Sequence, residues 1–497
     1  MGTVGRVMWD LVFPPGPPDR IADMFATAVV SDAVRRHDAD LAQWVETCRD
    51  WRRGYREVFR AMTALAVSSP AASRGMADDG LRAVRAVLRF TAGRTVAPLE
   101  AVDLSAIGAG AVEFDTERVA GEAKPVARLE VPWRGGVLAG EPLRRQLRDW
   151  QHRGVVEPGF AAAVERVIDH PEWLSLPGFR VALVGAAAEL GPLQPLLRWG
   201  AEVLAVDLPG RLRWQSLREQ ARAGAGVLWF PRTADRPGAD VAGRLPGLAN
   251  WLAAHTGSEA RPVLGLHAST PGPAGVRLAA ASDLLTDIVL RHRPDTALAY
   301  LGSPFDCYAV PHEVVTAARE RVDESGFGGL TRKATRLLTR SALWRPGYRR
   351  EIPDAEGAPW GIVDLLLSSL GPHHALTHRL PRWRALSAHA TGTTVSYTVP
   401  PLAWTRATTR TTWLAASYQG LTRRGIEIFD PDTARTLLAA KLVADLVTPP
   451  TPPPEPGVPL HLRRPPRRPM APALRTPLPL PGRRLDRPPT TNTPPLN

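Results

Sequence analysis

The sequence predicts an α/β fold built on a doubly wound parallel sheet. Apolar runs suited to buried strands recur at 179–184, 202–206, 226–230, 262–266 and 296–302. The segments between these runs are long enough to form crossover helices. Alternating strands and helices are typical of a parallel sheet that is covered by helices on both faces.

Five segments of different composition are predicted along the chain. They are a mainly helical N-terminal region (1–124), a hairpin and helical connector (125–177), the strand–helix domain (178–322), a helical C-terminal region (323–447) and a Pro/Arg-rich tail (448–497). The connector carries Gly135 and Gly136 at its expected hairpin turn. The tail cannot bury a core, so we expect it to be disordered.

Helices are predicted on both sides of the strand–helix domain. Apolar residues recur at three- and four-residue steps over 41–65, which indicates one long helix, and again over 81–88. For the second stretch, Asp78 or Asp79 is the expected N-cap and Gly93 the expected stop. From about 325 to 446 the sequence again reads as mostly helical, ending in a helix that starts at Asp430 and Pro431.

Composition and charge narrow the class of protein. An apolar fraction of 44% is ordinary for a soluble globular chain, and no apolar run is long enough to span a membrane. The two cysteines, Cys48 and Cys307, form no CxxC pair, so we expect neither a disulfide scaffold nor a thiolate zinc site, and we expect a reducing cytoplasm. The net charge is +13, and nearly all of the positive side chains are arginines. Part of this positive charge lies on the tail. Nucleic-acid binding is therefore a minority hypothesis, and an acidic partner for the basic tail remains an alternative.

The turn after the first predicted strand is built from small residues. Gly185, Ala187 and Gly191 would let backbone N–H groups approach a pyrophosphate, which a larger side chain would obstruct. The second strand ends at Asp207, whose carboxylate could accept hydrogen bonds from ribose hydroxyls. A tightly packed strand-to-helix corner is the alternative interpretation of the same residues.

The stretch GAAAELG resembles the GxxxGxG motif of the short-chain dehydrogenase/reductases, with Gly185 and Gly191 at the outer glycine positions. The resemblance covers about 178–310. It implies a Rossmann-like fold and NAD or NADP as cofactor, with Ala187 in the turn and Asp207 at the ribose. Asp207 would favour NAD, while Arg211 and Arg213 just beyond it keep NADP open.

Two departures from this family pattern are visible in the sequence. Glu189 stands where the family has its middle glycine, and a carboxylate close to a pyrophosphate is electrostatically unfavourable. The family's proton-transfer pair, a Tyr followed four residues later by Lys, is absent. The residues four positions before the three lysines are Ala120, Gly329 and Leu437.

Polar residues follow the fourth and fifth predicted strands. His267 and Ser269 come after the fourth strand, and Ser303, Asp306 and Tyr308 come after the fifth. Because ligands bind beyond the carboxyl ends of strands in open α/β sheets, we predict Ser269 as a cofactor contact and the other four as catalytic residues in one cleft. Ser303 follows its strand much as the family's catalytic serine does. The alternative is that these residues only cap turns and helices.

A histidine cluster, His373, His374 and His378, is interpreted as a surface or helix-start cluster. The last two could share a helical face, but no HExxH glutamate or nearby carboxylate completes a metal set, so no metal site is predicted.

The sequence is compatible with three functional hypotheses. The leading hypothesis is an NAD(P)-binding oxidoreductase with an atypical active site that acts on an unidentified small molecule. The second is a catalytically silent nucleotide-binding or regulatory protein, which Glu189 and the missing Tyr–Lys pair favour. The third is a class I S-adenosylmethionine-dependent methyltransferase, which would want an acid two positions before the first glycine, where Leu183 stands.

Overall fold

A computed structural model describes most of the chain. The described residues are 9–17, 20–92, 95–99, 113–234, 236–257, 259–312, 315–316, 348–367, 370–423 and 426–449. The predicted tail lies outside the described residues apart from its first two, and so do residues 323–347.

The described residues form fourteen helices and fifteen strands. The helices are α1 (Ile21–Arg35), α2 (Ala39–Thr47), α3 (Trp51–Ser68), α4 (Pro70–Val87), α5 (Gly140–Arg153), α6 (Pro158–Asp169), α7 (Leu193–Trp199), α8 (Arg211–Arg222), α9 (Leu245–His255), α10 (Pro273–His292), α11 (Gly371–Ala390), α12 (Arg406–Arg410), α13 (Thr412–Thr422) and α14 (Pro431–Val447). The strands are β1 (Trp9–Val12), β2 (Arg89–Ala92), β3 (Thr95–Pro98), β4 (Asp115–Ala120), β5 (Glu130–Trp133), β6 (Gly136–Ala139), β7 (Phe179–Val184), β8 (Glu202–Val206), β9 (Val227–Arg232), β10 (Arg261–Leu266), β11 (Ala297–Leu301), β12 (Cys307–Pro311), β13 (Tyr348–Pro353), β14 (Pro359–Asp364) and β15 (Val395–Thr398). None of the described helices is both long enough and apolar enough to cross a membrane.

Seven strands form the main sheet in the order β15-β11-β10-β7-β8-β9-β4. All neighbours from β15 to β9 are parallel, and β4 joins the edge antiparallel to β9. The five strands predicted from apolar runs are confirmed as β7 to β11, within two residues at each end. The sheet also takes in β4 and β15, which come from outside the segment 178–322.

Apolar cores lie on both faces of this sheet. Along β7, Ala182 and Val184 join one core with residues of α3, α10 and α11, whereas Val181 and Leu183 join the other with residues of α6, α7 and α14. This alternation follows from the two-residue period of a strand. The chain is therefore a mixed α/β protein with a mostly parallel sheet, as the alternating pattern predicts.

The single long helix predicted over 41–65 is wrong, because the chain forms two helices there. Cys48 has an extended backbone and ends α2. Asp50 then caps α3 by accepting a hydrogen bond from the Arg53 N–H at 3.2 Å. An aspartate at this position satisfies N–H groups that a continuous helix would have bonded internally.

The predicted start of the next helix is also wrong. Ser69 is the N-cap of α4 and accepts from the Ala72 N–H at 3.1 Å, so Asp78 and Asp79 lie inside the helix. The helix ends at Val87, and β2 follows directly. Gly93, the expected stop, lies outside the described residues.

The C-terminal region is less helical than predicted. β14 pairs with both β12 and β13 in a three-stranded antiparallel sheet of order β12-β14-β13. The turn between β13 and β14 is stabilised by Asp354, whose Oδ1 accepts from the N–H groups of Glu356 and Ala358. The predicted β5–β6 hairpin and the Asp430–Pro431 start of α14 are both confirmed.

Candidate functional site

The strand order of the main sheet reverses between β7 and β10. The chain continues from β7 to β8 and β9 on one side, while β10, β11 and β15 lie on the other. Ligands of open α/β sheets bind beyond the carboxyl ends of the strands at such a point. The turn 185–191 follows β7 and the segment 267–270 follows β10, so both lie at this position.

Gly185 packs the turn closely against the segment after β10. Its φ is +81°, and a Cβ at this position would lie 2.3 Å from the Ala268 nitrogen. A side chain would therefore suffer both backbone strain and a clash with backbone. Gly191 is less constrained, since a Cβ there would lie 3.0 Å from the Ala188 oxygen. The packing-corner interpretation thus explains Gly185 fully.

The carboxylate of Asp207 lies directly on the turn. Its Oδ2 accepts from the Ala187 N–H at 2.8 Å, and its Oδ1 accepts from the Leu208 N–H at 2.8 Å. Arg213 Nε lies 3.2 Å from the same Oδ1. Gly185 donates to the Val206 carbonyl at 2.8 Å. A phosphate oxygen would have to displace Asp207 in order to reach the Ala187 N–H.

Glu189, at the family's middle glycine position, is bound by the C-terminal part of the chain. Its Oε2 accepts from the Arg406 backbone N–H at 2.9 Å and lies 3.6 Å from Arg406 Nε. This carboxylate is therefore partly compensated. The helix after the turn, α7, begins only at Leu193.

Apolar and polar side chains are exposed around Asp207 and the turn. Leu208 is 49% exposed and Leu212 is 80% exposed, at the end of β8 and the start of α8. Ser269, the predicted cofactor contact after β10, is exposed as well. The end of β8 and the start of α8 thus carry a carboxylate paired with an arginine and two exposed apolar side chains, and we call Asp207, Leu208, Leu212 and Arg213 the rim.

Ser303, Asp306 and Tyr308 follow β11 and are buried inside the protein. The Tyr308 hydroxyl donates to the Ser303 carbonyl at 2.6 Å. Ser303 Oγ accepts from the Phe305 N–H at 3.0 Å, which is the contact that the turn-capping alternative predicts. Ser303 Oγ also lies 3.0 Å from His374 Nε2, on α11. Only 3% of Ser303 is exposed.

Asp306 is the charged centre of this cluster. Arg379 Nη2 lies 2.8 Å from its Oδ1 and Arg382 Nη1 lies 3.3 Å from its Oδ2. The Cys307 N–H donates to Oδ1 at 2.7 Å. Burial alone would raise the pKa of Asp306, but the two guanidinium groups hold it below its usual range. We call Ser303, Asp306, Tyr308, His374, Arg379 and Arg382 the cluster after β11.

Among the described residues, His267 makes no side-chain hydrogen bond to the other three predicted catalytic residues. Its ring lies over Gly265, where a Cβ would be 2.9 Å from His267 Nε2. Both ring nitrogens are buried without a hydrogen-bond partner among the described residues, and burial lowers the pKa of His267 to about 4. A shared cleft for all four side chains stays a prediction.

Sequence reasoning missed the contribution of α11. His374 and His378 share a helical face, with ring centroids 4.6 Å apart, as their spacing predicts. They lie at the start of a helix but are not a surface cluster, because burial, with a smaller contribution from His378, lowers the pKa of His374 to about 3. Within the described part of the chain, no group of three or more His, Cys, Asp or Glu side chains could hold a metal ion.

The chemistry available at the cluster is limited by its burial. A serine hydroxyl beside a neutral imidazole is the arrangement that activates a nucleophile. The Tyr308 hydroxyl is a poor acid here, because burial raises its pKa well above the usual value.

No protein-family model, curated protein or solved structure matches this chain. Function therefore has to be inferred from these geometries alone.

Proposed function

We propose that the chain is a Rossmann-like nucleotide-binding protein that binds NAD or NADP beside Asp207 and is catalytically silent or regulatory. The observation that carries the proposal is the Asp207 carboxylate on the turn after β7, where the strand order reverses. A carboxylate at the end of the second strand is the group that accepts from ribose hydroxyls in dinucleotide folds.

The surroundings of Asp207 support an adenosine ligand. Leu208, directly after Asp207 in the sequence, and Leu212, at the start of α8, are exposed and offer apolar surface for a purine ring. Arg213 lies 3.2 Å from Asp207 and is placed to meet a phosphate on the ribose. On binding, ribose hydroxyls would replace the Ala187 N–H and Arg213 as partners of Asp207.

The buried cluster after β11 supports the silent form of the proposal. Ser303 and Tyr308 already make hydrogen bonds within the protein. The charge of the Asp306 carboxylate is compensated by two arginines. A group that must exchange protons with a substrate needs to reach it. Here the hydroxyls and the carboxylate are used to hold the segment after β11 in place.

Calorimetric titration of the full chain with NADH, NADPH and S-adenosylmethionine tests the proposal. We expect saturable binding of at least one nicotinamide nucleotide and none of S-adenosylmethionine. Asp207→Asn should weaken nicotinamide nucleotide binding by about 10- to 100-fold, since hydrogen bonds to a charged group are lost. Asp295→Asn, in a surface pair with Arg293, is the matched control and should bind normally.

A second pair of variants tests the exposed rim without disturbing the interior. Leu212→Ser should weaken nucleotide binding, whereas Val137→Ser, at a 59% exposed position in the β5–β6 hairpin, should not. If neither nicotinamide nucleotide binds, the proposal is overturned. Tight binding of S-adenosylmethionine instead would favour the methyltransferase hypothesis.

An NAD(P)-dependent oxidoreductase is the second candidate, and the 3.0 Å contact between Ser303 Oγ and His374 Nε2 favours it. Its test is consumption of NADH or NADPH with a panel of aldehydes and ketones. Turnover that Ser303→Ala abolishes, with nucleotide binding retained, would establish the oxidoreductase and refute the silent protein.

A further inference from the structure

A cavity of about 40 Å³ lies between α3, α4 and α11. By the same measure a single water needs about 10–15 Å³, so the cavity has room for about three waters or a molecule of a few heavy atoms. Its polar wall is formed by Ser73, Arg379, Arg382 and Tyr397. Its apolar wall includes Met62, Ala66, Met76, Trp383 and Leu386.

The polar wall of the cavity carries an excess of positive charge. Arg379 and Arg382 share a single carboxylate, that of Asp306. The neighbouring His374 and His378 are held neutral, because burial lowers the pKa of both. The neighbouring Asp364 supplies no further compensation, since Arg56 and Arg60 already bind it.

One donor of this wall has no partner in the described part of the chain. Arg379 is 4% exposed, and its Nε is buried without a hydrogen bond. Leaving a donor of a buried charged group unsatisfied is costly. A guanidinium that lines a cavity and keeps an unused N–H is suited to an acceptor that enters from outside.

We propose that this cavity binds a small monocarboxylate of about two to four carbon atoms, judged from its volume. The carboxylate would accept hydrogen bonds from Arg379 and Arg382, whose planar guanidinium groups match carboxylate geometry. The short alkyl chain would pack against Met62, Met76 and Leu386. Sulfate and phosphate lack an apolar part and would leave this wall without contacts. The site is separate from the nucleotide site and does not depend on it.

Thermal unfolding and calorimetric titration of the full chain with sodium propionate test the proposal. A ligand that binds only the folded state raises Tm progressively with its concentration. We expect saturable stabilisation by propionate and none by propionamide, which has the same shape without the charge. Sodium chloride and sodium sulfate at matched ionic strength should not reproduce the saturable shift.

Variants place the binding in this cavity. Ala66→Leu fills the cavity from α3 and should weaken propionate binding at least about tenfold, the effect of losing one well-packed group. Arg379→Lys keeps the charge beside Asp306 but removes Nε and should weaken binding by a similar factor. Ala71→Leu, at an exposed position in α4, is the matched control and should leave binding unchanged.

Several results would overturn the proposal. They are no saturable response to propionate, an equal response to propionamide or sulfate, or undiminished binding by Ala66→Leu. Ala66→Leu leaves both arginines in place, so its result stands even if Arg379→Lys fails to fold. Nicotinamide nucleotide binding in the same preparations reports on the nucleotide site separately.

Discussion

Two carboxylates follow strands of the same parallel sheet, Asp207 after β8 and Asp306 just beyond β11. The Asp207 side chain is 11% exposed, and its partners are two backbone N–H groups and Arg213 on the rim. The Asp306 side chain is 1% exposed, and its partners are the Cys307 N–H and the buried Arg379 and Arg382. A ligand could replace the partners of Asp207 one by one, whereas removing Asp306 would leave two buried cations together. The comparison therefore separates a carboxylate that can serve binding from one that serves folding.

Asp306→Asn is expected to have the largest effect. Breaking a buried ion pair from one side leaves uncompensated charge, so we expect the free energy of unfolding to fall by about 3–5 kcal/mol. Urea unfolding monitored by tryptophan fluorescence measures it. Asp207→Asn should cost about 1 kcal/mol by the same assay, because the asparagine oxygen can still accept a hydrogen bond from a backbone N–H and Arg213 can turn to solvent. Similar losses for both variants would remove the distinction between the two carboxylates.

Gly185→Ala should come next, through backbone rather than charge. The positive φ and the contact with Ala268 together predict a loss of about 2–4 kcal/mol. Gly191→Ala, at the other outer glycine, should cost about 1 kcal/mol or less, since only the Ala188 oxygen must shift by a few tenths of an ångström. Thermal unfolding of both variants tests the pair. Equal losses would mean that the turn relaxes around Gly185 in a way the structure does not indicate.

The sequence predicts the region around Asp207 much better than the region around Asp306. Apolar runs, small turn residues and Asp207 are all local signals, and the contact between Asp207 and Ala187 joins neighbouring strands. The cluster around Asp306 depends on α11, which lies about 70 residues further along the sequence. No local pattern indicates that Arg379 and Arg382 turn inward. The spacing of Arg379 and Arg382 places them on one helical face, as does that of His374 and His378, but spacing alone does not say whether a face is buried.

Each region also contains a buried neutral histidine, and these predict how stability depends on pH. The pKa of His374 is lowered to about 3 and that of His267 to about 4, below the ordinary value of 6.5. The unfolded chain therefore binds more protons than the folded one below pH 6.5. The contribution of the two neutral histidines to the free energy of unfolding is fully present above that pH. It falls as the pH drops toward the folded-state pKa values, by about 1 kcal/mol per pH unit for each histidine.

Glutamine variants separate the two histidines. His374→Gln and His267→Gln should each flatten the dependence of the unfolding free energy on pH between about 6.5 and 5 by about one proton. His152→Gln, at an exposed position in α5, is the control and should leave the slope unchanged. An unchanged slope in His374→Gln would mean that solvent reaches the cluster after β11.

Arg213→Gln should have the smallest effect on stability, and it tests the binding side of the comparison. Arg213 is 36% exposed and pairs with Asp207 at 3.2 Å, so its removal should cost less than about 1 kcal/mol in unfolding free energy. Any such loss should shrink further in added salt. The same variant should lower affinity for NADPH more than for NADH, because only NADPH carries a 2′-phosphate on its adenosine ribose for the guanidinium to meet. A fall in the free energy of unfolding comparable to that of Asp306→Asn, measured by urea denaturation, would show that Arg213 stabilises the turn and is not available to a ligand.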